Sequence, residues 1–115
     1  MVEVVGTSEF EEWFLGLSSV DARAVVRGVG LLEGAGIRLG FPHCSALGGS
    51  RYALRELRVQ SSGRPLRIVY AFDPLRQAVL LLGGDKTGDD RFYAWIIPKA
   101  ETIWERYLQD IEGAV

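Results

Sequence analysis

Arg58, Arg67, Lys86 and Tyr93 are the residues of this 115-residue chain whose types and spacing could do chemistry together. Arg58 lies in Glu56-Leu57-Arg58-Val59 and Arg67 in Leu66-Arg67-Ile68-Val69-Tyr70, and both segments alternate as strands do. On neighbouring antiparallel strands the two guanidiniums can share one face. Lys86 follows a third apolar run, in Gly83-Gly84-Asp85-Lys86-Thr87, and Tyr93 opens a helical pattern soon after. Three cations and a phenol gathered at one end of a sheet can bind a backbone phosphate, stabilise charge developing on it and stack a base. The structural alternative is that Arg58 and Arg67 pair with Glu56, Asp73 or Asp85 in a solvated surface network. Arg67 and Lys86 are expected at exposed positions.

The remaining reactive types are less persuasive. His43 and Cys44 are adjacent and have no second His or Cys to join them, so a loop role is expected and neither metal nor cofactor is. Gly83 to Thr87 looks like a phosphate loop, but Asp85 stands where that loop needs glycine before its lysine. Trp13, Trp104, Phe10 and Phe92 fall on helical stripes and read as core.

The elements that must position these residues follow from periodicity. Residues 2–5 read as a short strand. Ser8, with Glu11 three positions on, reads as a capping box for a helix striped by Phe10, Trp13, Phe14 and Leu17. Ser18-Ser19 with Asp21 reads as a second cap. Ala22, Val25, Val26, Val29 and Leu32 then mark a buried face, and Gly34 and Gly36 stop the helix. Residues 40–49 read as a loop. Residues 52–60, 66–72 and 77–82 read as strands joined by hairpin-length turns, an antiparallel meander. From Asp89 a last helix carries Phe92, Ile96, Ala100, Ile103 and Tyr107, and Pro98 should kink or divide it. The expected class is α+β, an N-terminal helical hairpin and a C-terminal helix packed on one face of a mainly antiparallel sheet. The other face, with Arg58 and Arg67, is left for function.

Composition bounds the rest. Hydrophobic residues make up 48% and charged residues 24%, which excludes disorder as a description of the chain. The longest apolar run, residues 92–97, falls far short of the roughly 20 residues that span a bilayer. The N-terminus has no basic segment and turns acidic early, so no secretory signal is read there. A single compact domain over residues 1–115, in the cytoplasm, is expected. The net charge of −2 disfavours a general nucleic-acid binder. Its distribution is uneven, however: residues 51–72 carry Arg51, Arg55, Arg58, Arg64 and Arg67 against Glu56 alone.

At these residues the sequence resembles the RelE/HigB toxin superfamily, especially its phage-associated HigB-like branch. The matching motifs are Phe41-Pro42-His43, Leu47-Gly48-Gly49, Tyr52 with Glu56-Leu57-Arg58-Val59, Arg67-Ile68-Val69-Tyr70, Leu82-Gly83-Gly84-Asp85-Lys86-Thr87, and Phe92-Tyr93 with Ile97-Pro98-Lys99-Ala100. Each is weak alone, but their order over residues 9–108 is specific. The resemblance implies a RelE-like fold and the toxin of a type II toxin–antitoxin system, a ribosome-dependent mRNA endonuclease that inhibits translation. Its reaction is attack of a ribose 2′-OH on the adjacent phosphate, with no metal or cofactor. Carried over by position, Arg58 and Arg67 would hold the phosphate, Lys86 would supply charge or a proton, and Tyr93 would stack on or orient the nucleotide.

Arg51, Arg55, Arg64 and Lys99 would add RNA-binding charge. The implied partners are mRNA, the ribosome and a cognate helix-turn-helix antitoxin, with a toxin–antitoxin hetero-oligomer on operator DNA and no membrane. Two alternatives share the fold: a ParE-like gyrase inhibitor, and a non-catalytic antitoxin-binding module. The chain departs from the best-studied members at Leu54 and Glu56, where they carry lysines. The general base stays open: Lys86 or Tyr93 would need a shifted pKa, and Glu56 is a third candidate.

Overall fold

The computed structural model describes residues 1–113. Its elements run β1 (Val4–Gly6), α1 (Ser8–Leu15), α2 (Ser19–Ala35), β2 (Cys44–Ala46), β3 (Arg55–Ser61), β4 (Arg64–Phe72), β5 (Ala78–Asp85) and α3 (Phe92–Gly113). The five strands form one sheet in the order β1-β5-β4-β3-β2. All pairings are antiparallel except β1 with β5. The architecture is α+β, as expected.

Strand alternation divides the core in two. Leu57, Val59, Leu66, Ile68 and Tyr70 face α1 and α2 with Phe10, Val25 and Leu32. Val69, Ala71, Val79 and Leu81 face α3 with Phe92, Ile96, Ala100 and Trp104. Helices therefore cover both faces of the sheet, not one. The strands are apolar on both sides, and the aromatic stripe of α3 needs a surface of its own.

Gly83 and Gly84 lie within β5 and let both layers close. A Cβ on Gly83 would meet the Trp13 ring at 2.3 Å, and one on Gly84 would meet Phe92 at 2.8 Å. The pair that looked like part of a phosphate loop is a packing device.

Several local expectations are corrected. The cap of α1 is Thr7, whose Oγ1 accepts from Phe10 N at 3.1 Å; Ser8 is already helical and its hydroxyl donates to Glu9. Ser18 does cap α2, accepting from Asp21 N at 3.2 Å. The buried stripe of α2 is rotated, however, to Asp21, Ala24, Val25, Gly28 and Leu32, and Val26 is 59% exposed. Gly28 sets that rotation, because a Cβ there would stand 2.8 Å from Val59 Cγ2. The loop over residues 40–49 contains β2, which pairs Cys44 to Ala46 with β3. Pro98 sits inside α3 without dividing it. No helix among the described residues is long and apolar enough to cross a membrane.

Candidate active site

Arg58 and Arg67 are direct cross-strand partners of β3 and β4, so their side chains rise from the α3-facing side of the sheet. Two positions before Arg58, on the same face, stands Glu56. Its carboxylate is buried and joins the whole group. The Tyr93 hydroxyl, from the first turn of α3, donates to Oε1 at 2.7 Å. Ser45 Oγ, from β2, donates to Oε2 at 2.9 Å, and Arg58 Nη1 donates to the same oxygen at 3.3 Å. Arg67 Nε lies 3.6 Å from Oε1, an ion pair without a hydrogen bond.

Arg67 is 4% exposed, which corrects the expectation of an exposed side chain. Its Nη1 donates to the carbonyl of Leu66 at 3.0 Å, while Nε has no hydrogen-bond partner. A buried donor left unsatisfied costs about 1–3 kcal/mol. An incoming anion that supplied an acceptor would recover that cost. Arg58 is more open and stacks over the Phe41 ring, with 5.2 Å from Cζ to the centroid. Lys86 is half-buried, with Nζ 5.2 Å from the centre of the Tyr93 ring. A cleft of about 340 Å³, lined by Ala46, Leu47, Gly48, Glu56, Tyr93 and Ile97, opens beside this group.

Burial, and the carboxylate it donates to, push the Tyr93 phenol above its ordinary value. The phenol stays protonated and serves as a donor, not as a free base. Two guanidiniums pair with one carboxylate here and Lys86 stands over the Tyr93 ring, so the site attracts anions even though the chain as a whole is acidic. Such an arrangement can hold a phosphodiester and stabilise charge that develops on it.

The other candidate cations lie apart. Arg51 is exposed and donates through Nη2 to Glu105 Oε2 at 2.6 Å. Arg55 points to the opposite face, with Nε donating to the Tyr70 hydroxyl and Nη2 to Cys44 Sγ, both at 3.4 Å. Arg64 bridges Asp21 and Asp85, the latter at 2.8 Å. Lys99 is exposed on α3, with Nζ 5.8 Å from the Trp95 ring. The structure thus brings Arg58, Arg67, Lys86 and Tyr93 together and leaves these four outside. It also adds Ser45, which no periodicity marked. Glu56 becomes the centre of the group, which its place two residues before Arg58 on an alternating strand could have signalled.

A family model described as phage-derived protein Gp49-like matches residues 12–105. The chain is 42% identical over 113 residues to "Putative toxin HigB3" of Mycobacterium tuberculosis, covering 96% of each protein. It is 36% identical over 101 residues to "Putative toxin HigB2" of the same organism, covering 86% of this chain and 49% of that one. No solved structure matches it.

Proposed function

The chain belongs to the phage-derived Gp49-like family, and on that premise we propose that it is the toxin of a type II toxin–antitoxin pair, cutting mRNA on the ribosome. One observation carries the catalytic part: an in-register arginine pair beside Glu56 and Tyr93, with the buried Arg67 Nε lacking an acceptor. The scissile phosphate would supply that acceptor. Arg58 and Arg67 then offset the charge that grows on its oxygens as the ribose 2′-OH attacks phosphorus. The departing proton passes to the Tyr93 oxygen while Tyr93 gives its own to Glu56. As the bond from phosphorus to the 5′-oxygen breaks, that oxygen takes a proton from Lys86. The products are a 2′,3′-cyclic phosphate and a 5′-hydroxyl end. The attacking oxygen belongs to the substrate, so the step calls for no metal-activated water.

The same geometry supports dependence on the ribosome. Glu56 already occupies Tyr93, Ser45 and Arg58. A free RNA must draw Arg58 away from Glu56 and also adopt attack geometry. A message held by the ribosome arrives with much of that entropy cost already met, a contribution that can reach several kcal/mol. The partners are mRNA, the ribosome and a helix-turn-helix antitoxin, in the cytoplasm where translation occurs. The test is induction of the chain alone and with its neighbouring gene. Arrested growth relieved by the neighbour supports the reading, and normal growth at verified expression of folded protein rejects it.

A further inference from the structure

Gly84 is the cross-strand partner of Arg67, which is itself the partner of Arg58, so the three form one row across β3, β4 and β5. Over the Gly84 end of that row lies Trp95. A Cβ on Gly84 would stand 3.4 Å from its Cη2, so the indole rests against β5 as the Arg58 guanidinium rises from β3. Neighbouring strands are about 4.8 Å apart. Gly84, against which the indole rests, is one such spacing from Arg67 and two from Arg58.

The indole is held in place yet open. Its Nε1 donates to Asp89 Oδ2 at 2.9 Å, and it meets the Phe92 ring edge-on at 5.3 Å and 77°. It remains 39% exposed. Its single polar group is already satisfied, so the π-face is what it has left to offer. A fixed aromatic face stacks a base without reading its sequence, at little conformational cost. One turn along α3, Lys99 places its Nζ 5.8 Å from the ring. The same pairing of lysine and aromatic ring recurs in Lys86 and Tyr93, at 5.2 Å. Two lysine–aromatic pairs thus stand beside one row of arginines. Asp85 is engaged with Arg64 and Thr87, Asp89 with the indole and the backbone N–H of Arg91, and Glu9 with Arg106, while Glu12 lines a cleft with Lys99.

We propose that Trp95 and Lys99 form a second nucleotide subsite for single-stranded RNA. The indole stacks on a base next to the nucleotide being cut, and Lys99 pairs with its phosphate. This deepens the nuclease reading and rests on it for the identity of the RNA, but its test does not need cleavage.

A short single-stranded polypyrimidine RNA is titrated into the full-length chain while tryptophan emission is read. Trp104 is buried and Trp13 is half-buried in a cleft shared with Lys99, so quenching is assigned to Trp95 by its loss in Trp95→Leu. Trp95→Leu covers Gly84 without a π-face, and Trp95→Ala removes both. The expected result is quenching in the parent and binding weaker by roughly 5- to 150-fold in Trp95→Leu, the effect of losing one base stack. Trp95→Phe should fall between. RNA binding by Trp95→Leu at the parent's affinity overturns the subsite, as does parent emission that RNA leaves unchanged. Loss of antitoxin binding in Trp95→Leu with RNA binding intact also overturns it, by giving the face to a protein. Cleavage of ribosome-bound message is scored separately on the same proteins. Unchanged binding with cuts retained sinks the subsite and leaves the nuclease standing; quenching with no cuts from any chain does the reverse.

Discussion

The Tyr93 hydroxyl donates to Glu56 Oε1 at 2.7 Å, and this bond fastens the first turn of α3 to the strand that carries Arg58. It is both a structural tie and the proposed path of the proton. Tyr93→Phe keeps the ring against Phe92 and loses the path. Its cleavage rate should fall between those of the parent and Tyr93→Ala, and Glu56→Gln, which cannot take the proton, should be at least as slow as Tyr93→Phe. Single-turnover kinetics on ribosome-bound message checks the order. Equal rates for Tyr93→Phe and the parent would remove the hydroxyl from the chemistry.

Arg67 and Lys86 should separate rate from stability. Each alanine variant is expected to lose roughly 100- to 1,000-fold in cleavage, as when one preorganised charge stabiliser is removed. Only Arg67→Ala should also melt earlier, because Arg67 is buried beside Glu56 and its removal leaves that carboxylate with a weaker counter-charge. The cost is on the order of 1–3 kcal/mol, that of a disrupted buried polar group. Lys86→Ala should melt like the parent. Chemical denaturation of the three proteins reads this directly.

Arg64 ties the start of α2 to the β3–β4 hairpin and the end of β5 through Asp21 and Asp85. Its guanidinium and the Ser61 hydroxyl hold the Asp21 carboxyl below the ordinary carboxylate range. Arg64→Ala should therefore lower the melting temperature measurably. Arg76→Ala, in the exposed turn before β5, should change stability by no more than about 0.5 kcal/mol. Equal melts for the two variants would show the bridge to be idle.

Glu9 and Arg106 form a two-pronged pair, at 2.5 and 2.6 Å, that joins α1 to α3. The Arg106 guanidinium lowers the Glu9 carboxyl from 4.5 to about 2. A carboxylate whose folded pKa is depressed stabilises fully above its unfolded pKa and loses that contribution as pH falls to the folded one. This pair's contribution should thus be intact above about pH 4.5 and fade towards pH 2. Both groups are partly exposed, so salt should weaken it. Thermal melts of Arg106→Ala should fall short of the parent at pH 6 and converge with it near pH 2.

The α+β class and the meander were legible because helical stripes, and apolar runs bounded by hairpin-length turns, are local signals. What escaped was set by contacts between distant residues. The rotation of α2 is decided by how closely Gly28 approaches Val59. The three-residue strand β2 carries no periodicity of its own and exists because β3 offers it an edge. The burial of Arg67 reflects α3 lying across the sheet face that a one-sided packing would have left open. The gathering of Arg58, Arg67, Lys86 and Tyr93 was readable from strand alternation together with the order of the third strand and the last helix. The place of Glu56 at its centre needed Ser45 and Tyr93, which arrive from other elements.

Primer extension on message bound to programmed ribosomes tests the central claim most directly. The parent chain is predicted to produce discrete cuts within A-site codons, and Arg67→Ala at the same dose to leave the message intact. An uncut message at doses of the parent chain that arrest growth, together with inhibited gyrase supercoiling, would contradict the nuclease account and assign the toxicity to gyrase.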